Sequence, residues 1–501
     1  MTRFPSGHYH RATAAMHLAP IDLILVIAYL AGITIFGIRF RREQHSIRDY
    51  FLGGRTAPWW ALTLSIVATE TSTLTIIGTP ALAYAGNATF LQLVFGYVVG
   101  RVILAAVFIP RFFRGEFYTA YQLIEKRFGA RVKSAAALTF LVTRALAEGV
   151  RIAAVATVVH IAFGTGERTS VIVILLITLV YTWEGGMKAV IWTDVIQTMI
   201  YLGGSAAAFF LLLHRVPGGW KEISAIAGAA GNKLQVWDFH FSFTNAAHTY
   251  GFWAGVIGGT FLTMASHGTD QTIVQRLLAA RSQRQSQAAL LGSAAVVLVQ
   301  FGLFLVLGVM LFVYNGAPHI VPGQSYDAVF PTFIVTAMPT GLRGLVLAAI
   351  FAVAMSNASG SLNSMAASSV VDFRSLRGLD STDPARLLRL SRWMTLGWGA
   401  VLLVLGTRNW GPLLVAGLKI ASVTFGSLLG LFLLGFYNRR ATPKGALVGM
   451  AAGLAVMLYV ILFTNLLWTW YVLVGTLVTM AAGSLASLLG RSDPQRAAPV
   501  A

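Results

Sequence analysis

The amino-acid sequence predicts an all-α protein that crosses a membrane about 13 times. Hydrophobic residues make up 56% of its 501 residues and charged residues only 11%, about half the charge of a typical soluble domain. The apolar residues fall in runs of roughly 20, the length that crosses the hydrocarbon core of a bilayer. The predicted spans cover residues 18–38, 58–84, 89–112, 134–163, 169–183, 187–213, 249–271, 287–314, 342–371, 388–406, 411–436, 445–463 and 467–489.

The loops between these spans alternate in their content of Lys and Arg. Basic residues concentrate after the odd-numbered spans, whereas the connection 315–340 on the opposite side has none. Because basic loops stay in the cytoplasm, we expect a multi-pass protein of a bacterial-type inner membrane, with its N-terminus outside and its C-terminus in the cytoplasm. The formal net charge of +19 then belongs to a cytoplasmic rim that faces anionic membrane lipid.

The composition excludes several classes of protein. Cysteine is absent, which removes disulfides, thiolate nucleophiles and Cys-ligated metal centres. The first apolar run ends in GIRFRR at 37–42 instead of a small-residue cleavage site, so we expect a retained helix. No segment indicates a soluble domain, a nucleic-acid surface or an obligate protein partner. The polar and aromatic segment 119–128 is expected to lie along the membrane surface.

The second and seventh spans have compositions that interrupt a helix. Span two carries Glu70 among serines and threonines, and a carboxylate at mid-membrane costs at least about 2.5 kcal/mol. Gly78 and Pro80 weaken this span further, and span seven contains four glycines before the polar run TMASHGTDQ at 263–271. Broken spans at matching places in two halves indicate an inverted-repeat transporter with its binding site at the breaks. We therefore expect two five-helix repeats, spans two to six and spans seven to eleven.

This organisation divides the chain into five regions. The two repeats occupy residues 58–213 and 249–436, and an extracellular loop of residues 214–248 joins them. Residues 1–57 contain the N-terminal tail, the first helix and a cytoplasmic loop. Residues 437–501 contain two peripheral helices and the C-terminal tail.

Span nine concentrates side-chain oxygen inside an apolar helix, with the sequence AMSNASGSLNS at 354–364. Hard cations such as sodium bind several oxygens, including backbone carbonyls that a broken helix frees. Small residues of this kind can also serve close helix packing. Beside a broken second span, the ion site is the favoured interpretation.

Four stretches resemble the sodium/solute symporter family, which includes sodium/glucose, proline, sialic acid, monocarboxylate and vitamin carriers. They are PWWA at 58–61, YTWEGGMKAVIWTDVIQ at 181–197, DQTIVQR at 270–276 and the Ser-rich ninth span. The second stretch is long and specific, and the resemblance covers nearly the whole chain. It implies transport by alternating access, with sodium as the coupling ion and no enzymatic activity.

The resemblance places the main sodium site between the second and ninth spans. It implies the backbone carbonyls of Ala68, Thr71 and Val353 as ligands, together with the side chains of Ser356 and Asn357. The family usually has serine or threonine at the last position. The amide oxygen of an asparagine can also bind sodium, but the longer side chain changes the geometry of the site.

Asp194 matches the family's intramembrane carboxylate near the sodium exit route, and the alternative is a structural partner for a buried polar group. Some members of the family hold a second sodium with this carboxylate and hydroxyls of the ninth span. Ser359 fits that second site. Gly360 stands where another hydroxyl would be needed, so we expect one sodium ion.

The resemblance places the solute at the broken parts of spans two and seven and at span eleven. The residues carried over are Thr75, Thr263, Ser266, His267 and Lys419, with the carboxylates of Glu70 and Asp270 beside them. Sugar carriers have aromatic and amide groups at several of these positions, so we expect a carboxylate, amino acid or related polar metabolite instead of glucose. The two carboxylates could contact the solute or form ion pairs with Lys419 or with Arg144 and Arg151.

Span four carries three charged residues on one helical face. Arg144, Glu148 and Arg151 follow the spacing i, i+4, i+7, which favours an internal ladder of ion pairs. In the alternative interpretation, Arg151 meets an anionic solute. Arg101 in span three is expected to pair or to extend towards the membrane surface.

Two other functions compete with sodium-coupled symport. A proton could replace sodium if Glu70 or Asp194 titrated, and a membrane-embedded acyltransferase could use His267 with Asp270, which lie at i and i+3. The chain has no Cys, no pair of histidines at metal-binding spacing and no nucleophile motif. We therefore predict a sodium symporter.

Overall fold

The computed structural model describes residues 18–43, 45–163, 166–321, 324, 326–373, 384–408, 410 and 413–489. Within these residues the chain forms helices and no strand, apart from one isolated bridge between Ala57 and Ala280. The first nine helices are α1 (Pro20–Ile38), α2 (Ile47–Leu52), α3 (Trp59–Glu70), α4 (Thr73–Ala85), α5 (Leu91–Phe112), α6 (Tyr121–Phe128), α7 (Ala130–Phe163), α8 (Glu167–Arg215) and α9 (Gly219–Ala229). The others are α10 (Phe252–Gly268), α11 (Gln271–Leu278), α12 (Gln283–Tyr314), α13 (Val329–Ala337), α14 (Leu342–Val371), α15 (Pro384–Gly406), α16 (Leu413–Tyr437), α17 (Pro443–Phe463) and α18 (Tyr471–Leu489).

Nine of the described helices are long and apolar enough to cross a membrane, and the bent pair α3–α4 makes a tenth. The other predicted spans correspond to α7, the first part of α8 and the pair α10–α11, which are more charged, shorter or broken. The all-α polytopic class is confirmed. The number of 13 spans, the two repeats and the five regions stay predictions.

The second span is broken between α3 and α4, which meet at an angle of 65°. Thr71 leaves the helical conformation with φ −73° and ψ 110°. The side chain of Ser72 accepts a hydrogen bond from the backbone N–H of Thr75, and the Thr75 hydroxyl accepts one from the Ser72 N–H. This reciprocal cap starts a new helix inside the span, so the hydroxyl-rich sequence encodes the break directly.

The seventh span is interrupted near its end, between α10 and α11. Thr269 and Asp270 are non-helical. Asp270 caps α11, since its carboxylate accepts a hydrogen bond of 2.8 Å from the backbone N–H of Thr272. The expectation of broken second and seventh spans is therefore confirmed.

Close packing holds the two broken spans in one bundle. A Cβ atom on Gly96 of α5 would lie 2.4 Å from the backbone of α10, and one on Gly259 of α10 would lie 2.3 Å from the backbone of α5. Only glycine permits this approach. Helix α8 bends at Gly186, where the φ of 55° requires glycine.

Helices α2, α6 and α11 lie together at one end of the bundle, called here the basic end. Gln271 of α11 bonds the backbone of Tyr118 and Ala120 just before α6, and Gln275 bonds the carbonyl of Phe51 in α2. The segment predicted at 119–128 forms helix α6, whose apolar residues are buried against the bundle. The basic end is thus tied directly to the second half of the broken seventh span.

A buried carboxylate joins the end of α14 to this region. Asp372, just beyond α14, accepts hydrogen bonds from the hydroxyls of Thr119 (2.6 Å) and Ser368 (2.7 Å). Burial raises the pKa of the Asp372 carboxyl from its ordinary value of 3.8 to about 7, although both hydroxyls and the charge of Lys133 favour the ionised form. The carboxyl is therefore protonated over a wider pH range in the folded chain than in an unfolded one.

This raised pKa predicts a pH dependence of stability. The contribution of a neutral Asp372 is complete below its ordinary pKa and is lost as the pH rises through about 7. Wild type should lose on the order of 4 kcal/mol of stability between pH 4 and pH 8, and the substitution Asp372→Asn should abolish this loss. Thermal unfolding of the detergent-purified protein across this range measures the effect. Glu116→Gln, an exposed carboxylate at the same end, is the control, and equal pH profiles for wild type and Asp372→Asn would refute the assignment.

Candidate functional site

A cavity lies between the breaks of the second and seventh spans. Six of the seven residues predicted to contact solute line it, namely Glu70, Thr75, Thr263, Ser266, His267 and Asp270. The side chain of the seventh, Lys419, lies outside the described residues. Five aromatic rings that the sequence analysis did not single out also line the cavity, those of Phe90, Tyr97, Phe140, Phe301 and Phe425.

Glu70 is held by a cation that the sequence analysis left without a role. Arg101 of α5 is completely buried and forms an ion pair with Glu70. The same guanidinium lies 3.2 Å from Nε2 of His267, and its Nε donates to the hydroxyl of Ser293. The partner proposed for Glu70 among Lys419, Arg144 and Arg151 is therefore corrected to Arg101. Arg101 extends from a neighbouring helix and joins the ends of α3 and α10.

Asp270 has the ion pair that the sequence analysis allowed. One carboxylate oxygen lies 3.4 Å from Nη1 of Arg144, and the other caps α11. His267 is bonded on its other side to the hydroxyl of Ser266, at 2.9 Å. Both polar ends of the histidine ring are therefore engaged.

The charges of α7 form the predicted ladder. Glu148 lies 3.6 Å from Arg144 and 3.5 Å from Arg151. Arg144 also donates a 2.8 Å hydrogen bond to the hydroxyl of Ser361. The side chain of Arg151 is 23% exposed, against 7% for Arg144, so Arg151 is the more accessible cation of the two in the cavity wall.

Three of the five predicted sodium ligands, Thr71, Val353 and Asn357, contact one another through the Asn357 side chain. Nδ2 of Asn357 donates hydrogen bonds to the carbonyls of Thr71, at 2.7 Å, and Val353, at 3.0 Å. Its amide oxygen accepts a hydrogen bond of 3.2 Å from Nη1 of Arg151. Thr71 is non-helical, so its carbonyl has left the helical ladder. Ala68 is buried in the last turns of α3.

Ser356 belongs to a neighbouring network around Asp194. This carboxylate is completely buried, and it accepts hydrogen bonds from Ser356, at 2.6 Å, and from Ser65. Arg276 of α11 forms an ion pair with it at 2.9 Å. The Ser359 hydroxyl donates to the carbonyl of Ser356 instead of contacting Asp194.

Two buried arginines were thus missed as site residues, for different reasons. Arg101 stands within an apolar span, and a second mid-span charge is itself a signal that Glu70 has a partner. Arg276 belongs to the quoted stretch DQTIVQR, but its pairing with Asp194 joins residues 82 positions apart. No local pattern could identify that contact.

This arrangement defines the class of the protein. A cavity that combines polar and apolar groups between two broken helices, with freed carbonyls beside an oxygen-rich helix, is the architecture of a secondary transporter. The sequence model of the sodium:solute symporter family matches residues 50–453. The chain belongs to this family of transporters, and sodium is its coupling ion.

Relatives and solved structures agree with this assignment. The chain is 30% identical over 484 residues to the sodium/sialic acid symporter SiaT of Proteus mirabilis, which covers 94% of this chain and 95% of that protein. It is 31% identical over 459 residues to the human sodium/iodide cotransporter, with 88% and 69% covered. The structure of a Na⁺-coupled sialic acid symporter in a substrate-bound outward-open state has a TM-score of 0.86 at 28% identity, covering 95% of this chain and 99% of that one.

The Glu70–Arg101 ion pair predicts that removing one charge destabilises the folded protein more than removing both. Arg101→Met would leave Glu70 buried without its partner, at a cost of about 3–5 kcal/mol. The double variant Glu70→Gln/Arg101→Met removes both charges and should recover most of that stability. Thermal unfolding of the purified variants measures the difference, with the exposed Arg440→Met as the control. A double variant no more stable than Arg101→Met would show that the two charges are not coupled.

Proposed function

We propose that the chain takes up a small polar solute that carries a carboxylate group, driven by inward movement of sodium, and that the solute binds in the cavity between the two helix breaks. Sialic acid and monocarboxylates, after which several relatives are named, are acids of this kind. The proposal follows foremost from the accessible guanidinium of Arg151 in the wall of the cavity.

Arg151 is the cation best suited to bind the solute. Its contacts with Glu148 and Asn357 measure 3.5 Å and 3.2 Å, longer than the usual 2.7–2.9 Å of charge-assisted hydrogen bonds. A solute carboxylate can therefore replace loose contacts with a bidentate pair. Arg144 is engaged by Asp270 and Ser361, which leaves it to position the cavity wall.

The remainder of the cavity suits a solute that carries hydroxyl or amide groups in addition to its carboxylate. Hydroxyls of Thr69, Thr75, Thr143, Thr263 and Ser266 line it together with aromatic rings. Polar groups of this type bond to hydroxyl groups of a ligand, while rings pack against its apolar faces. A sugar acid or a comparable polar metabolite fits this wall better than a purely apolar acid.

Sodium is proposed to bind at the carbonyls of Ala68, Thr71 and Val353, with the side chains of Ser356 and Asn357. In the present arrangement, the amide nitrogen of Asn357 bonds two of these carbonyls. Rotation of the amide would turn its oxygen towards them and leave room for a cation that all three oxygens coordinate. The Asn357 amide nitrogen is then an internal competitor of sodium.

The same side chain offers a physical link between solute and ion. Arg151 donates to the amide oxygen of Asn357 and so favours the orientation that excludes sodium. A solute carboxylate that binds Arg151 would release the amide oxygen. Each ligand then improves the binding of the other, which is the reciprocal coupling that a symporter requires.

The surroundings of Asp194 support a single sodium ion. A Cβ atom at Gly360 would lie 2.7 Å from the guanidinium of Arg276, so glycine makes room for the cation that pairs with Asp194. The missing hydroxyl and the buried Arg276 both disfavour a second ion beside Ser359. By the positive-inside rule, the basic end is proposed to face the cytoplasm, with the N-terminus outside.

Uptake into proteoliposomes tests the proposed function. An inward tenfold sodium gradient should accumulate one carboxylate solute of a panel containing sialic acid, monocarboxylates, amino acids and glucose, by up to about tenfold at 1:1 coupling. Arg151→Gln should raise the KM for that solute about tenfold or more, because a charge-assisted hydrogen bond contributes about 1.5–3 kcal/mol. A potassium gradient is the control. Accumulation driven by a proton gradient without sodium, or by neither ion, would exclude sodium coupling.

Two neighbouring substitutions should change sodium affinity in opposite directions. Asn357→Ser keeps a ligand oxygen but removes the competing amide, so the sodium concentration for half-maximal uptake should fall about tenfold, equivalent to two hydrogen bonds of about 0.5–1.5 kcal/mol each. Ser356→Ala removes a ligand and should raise that concentration. If Asn357→Ser weakens sodium dependence as much as Ser356→Ala does, the amide is a required ligand and no internal competitor exists.

A further inference from the structure

Three potential metal ligands lie together in the loop between α9 and α10, at the opposite end of the bundle from the basic end. Nδ1 of His240 lies 2.7 Å from one oxygen of Asp238, and Nδ1 of His248 lies 2.8 Å from the other. The centroids of the two imidazole rings are 4.7 Å apart, and the rings are tilted by 30° relative to each other. Among the residues that the structure describes, this is the one group of three such side chains whose ligand atoms all lie within 4.8 Å of one another.

The loop backbone is folded tightly around the group. A Cβ atom on Gly251 would lie 3.1 Å from the carbonyl of His240, 3.2 Å from that of His248 and 3.4 Å from that of Asp238. The backbones of all three residues thus converge on one glycine. Because His240 and His248 are held at their backbones, their rings need only side-chain rotation to share a ligand.

Asp238 is anchored to the two helices behind the loop. Its carbonyl accepts a 2.6 Å hydrogen bond from the N–H of Phe252, the first residue of α10. Its own N–H donates to the side chain of Gln92 in α5, and that side chain also bonds the carbonyl of Tyr250. The carboxylate is only 10% exposed, whereas the ring of His240 is 76% exposed. One ligand is therefore fixed and the other two can adjust.

We propose that Asp238, His240 and His248 form a binding site for one divalent transition-metal ion of the zinc type. Two imidazole nitrogens and one carboxylate oxygen are the donors of three-ligand zinc sites that keep a water at the fourth position. Zinc bonds of about 2.0–2.2 Å place tetrahedral ligand atoms about 3.3 Å apart, so the present separations need to open by roughly half an ångström. The Nδ1 proton of each neutral ring then moves to Nε2, and no partner other than water is required.

Metal binding at this site would stabilise the contact between the loop and the N-terminal end of α10. The loop connects the starts of α5 and α10 through Asp238, and α10 carries Thr263, Ser266 and His267 of the cavity wall. A bound ion therefore stabilises the folded loop against the ends of both helices. The site is independent of the proposed solute and sodium sites, since none of its residues lines the cavity.

Zinc titration of the purified full chain tests this site by isothermal calorimetry. All samples carry His8→Ala, His10→Ala and His17→Ala, because these N-terminal histidines would add background binding. We expect one zinc ion per chain and a rise in unfolding temperature with zinc but not with magnesium. His240→Ala and His248→Ala should each weaken binding about tenfold or more, since loss of a direct ligand costs at least as much as loss of an outer-shell partner.

His319→Ala is the matched control, an exposed histidine of the loop after α12, and it should bind zinc as the background chain does. Because the His240 ring is largely exposed, its removal should leave unfolding without zinc unchanged. Unchanged zinc affinity in both His240→Ala and His248→Ala would overturn the proposal, as would the absence of stoichiometric binding to the background chain. Sodium-driven uptake, measured without zinc, should be intact in the His240→Ala variant, which separates failure of this site from failure of the transport proposal.

Discussion

Two helix breaks inside the bundle are the constraint on which the rest of this structure depends. Backbone groups that leave the helical ladder at membrane depth must find partners within the protein, because lipid offers none. The freed groups at the first break are met by the Ser72–Thr75 cap on one side and by Asn357 on the other. Gln300 additionally bonds the hydroxyl of Thr71, at 2.7 Å. The proposed sodium site therefore lies at the break itself.

The breaks also place buried carboxylates inside the bundle, and their charges must be neutralised. Three buried carboxylates each pair with an arginine from a different element: Glu70 with Arg101, Asp194 with Arg276 and Asp270 with Arg144. Pairs of this kind tolerate low dielectric only when the partners are held in place. The arginines therefore connect α3, α5, α7, α8 and α11 into one polar framework around an apolar bundle.

Several features of the site could be predicted from local patterns. The hydroxyl-rich second span and the glycine-rich seventh span indicated that these two spans are broken. The breaks themselves lie at Thr71 and at Thr269–Asp270, whereas Gly78 and Pro80 stay inside α4. Ser72 and Asp270, residue types that cap helices, start the second helix in each case. The i, i+4, i+7 spacing of Arg144, Glu148 and Arg151 indicated their ladder. The partner of Glu70 was predicted wrongly, since Arg101 reaches it from a helix that packs alongside and sequence distance carries no information about that contact.

The sequence by itself determined the class of protein, which two spans are broken and the residue types available at the site. Span length, loop charge and capping residues are local properties, and each is readable over a few turns of helix. The tertiary structure alone decided the pairing of the buried charges and the orientation of the Asn357 amide towards Thr71 and Val353. It also brought Asp238 and His248 together. Those outcomes depend on how helices pack against one another, and the packing is set by glycine contacts and charge pairs between distant parts of the chain.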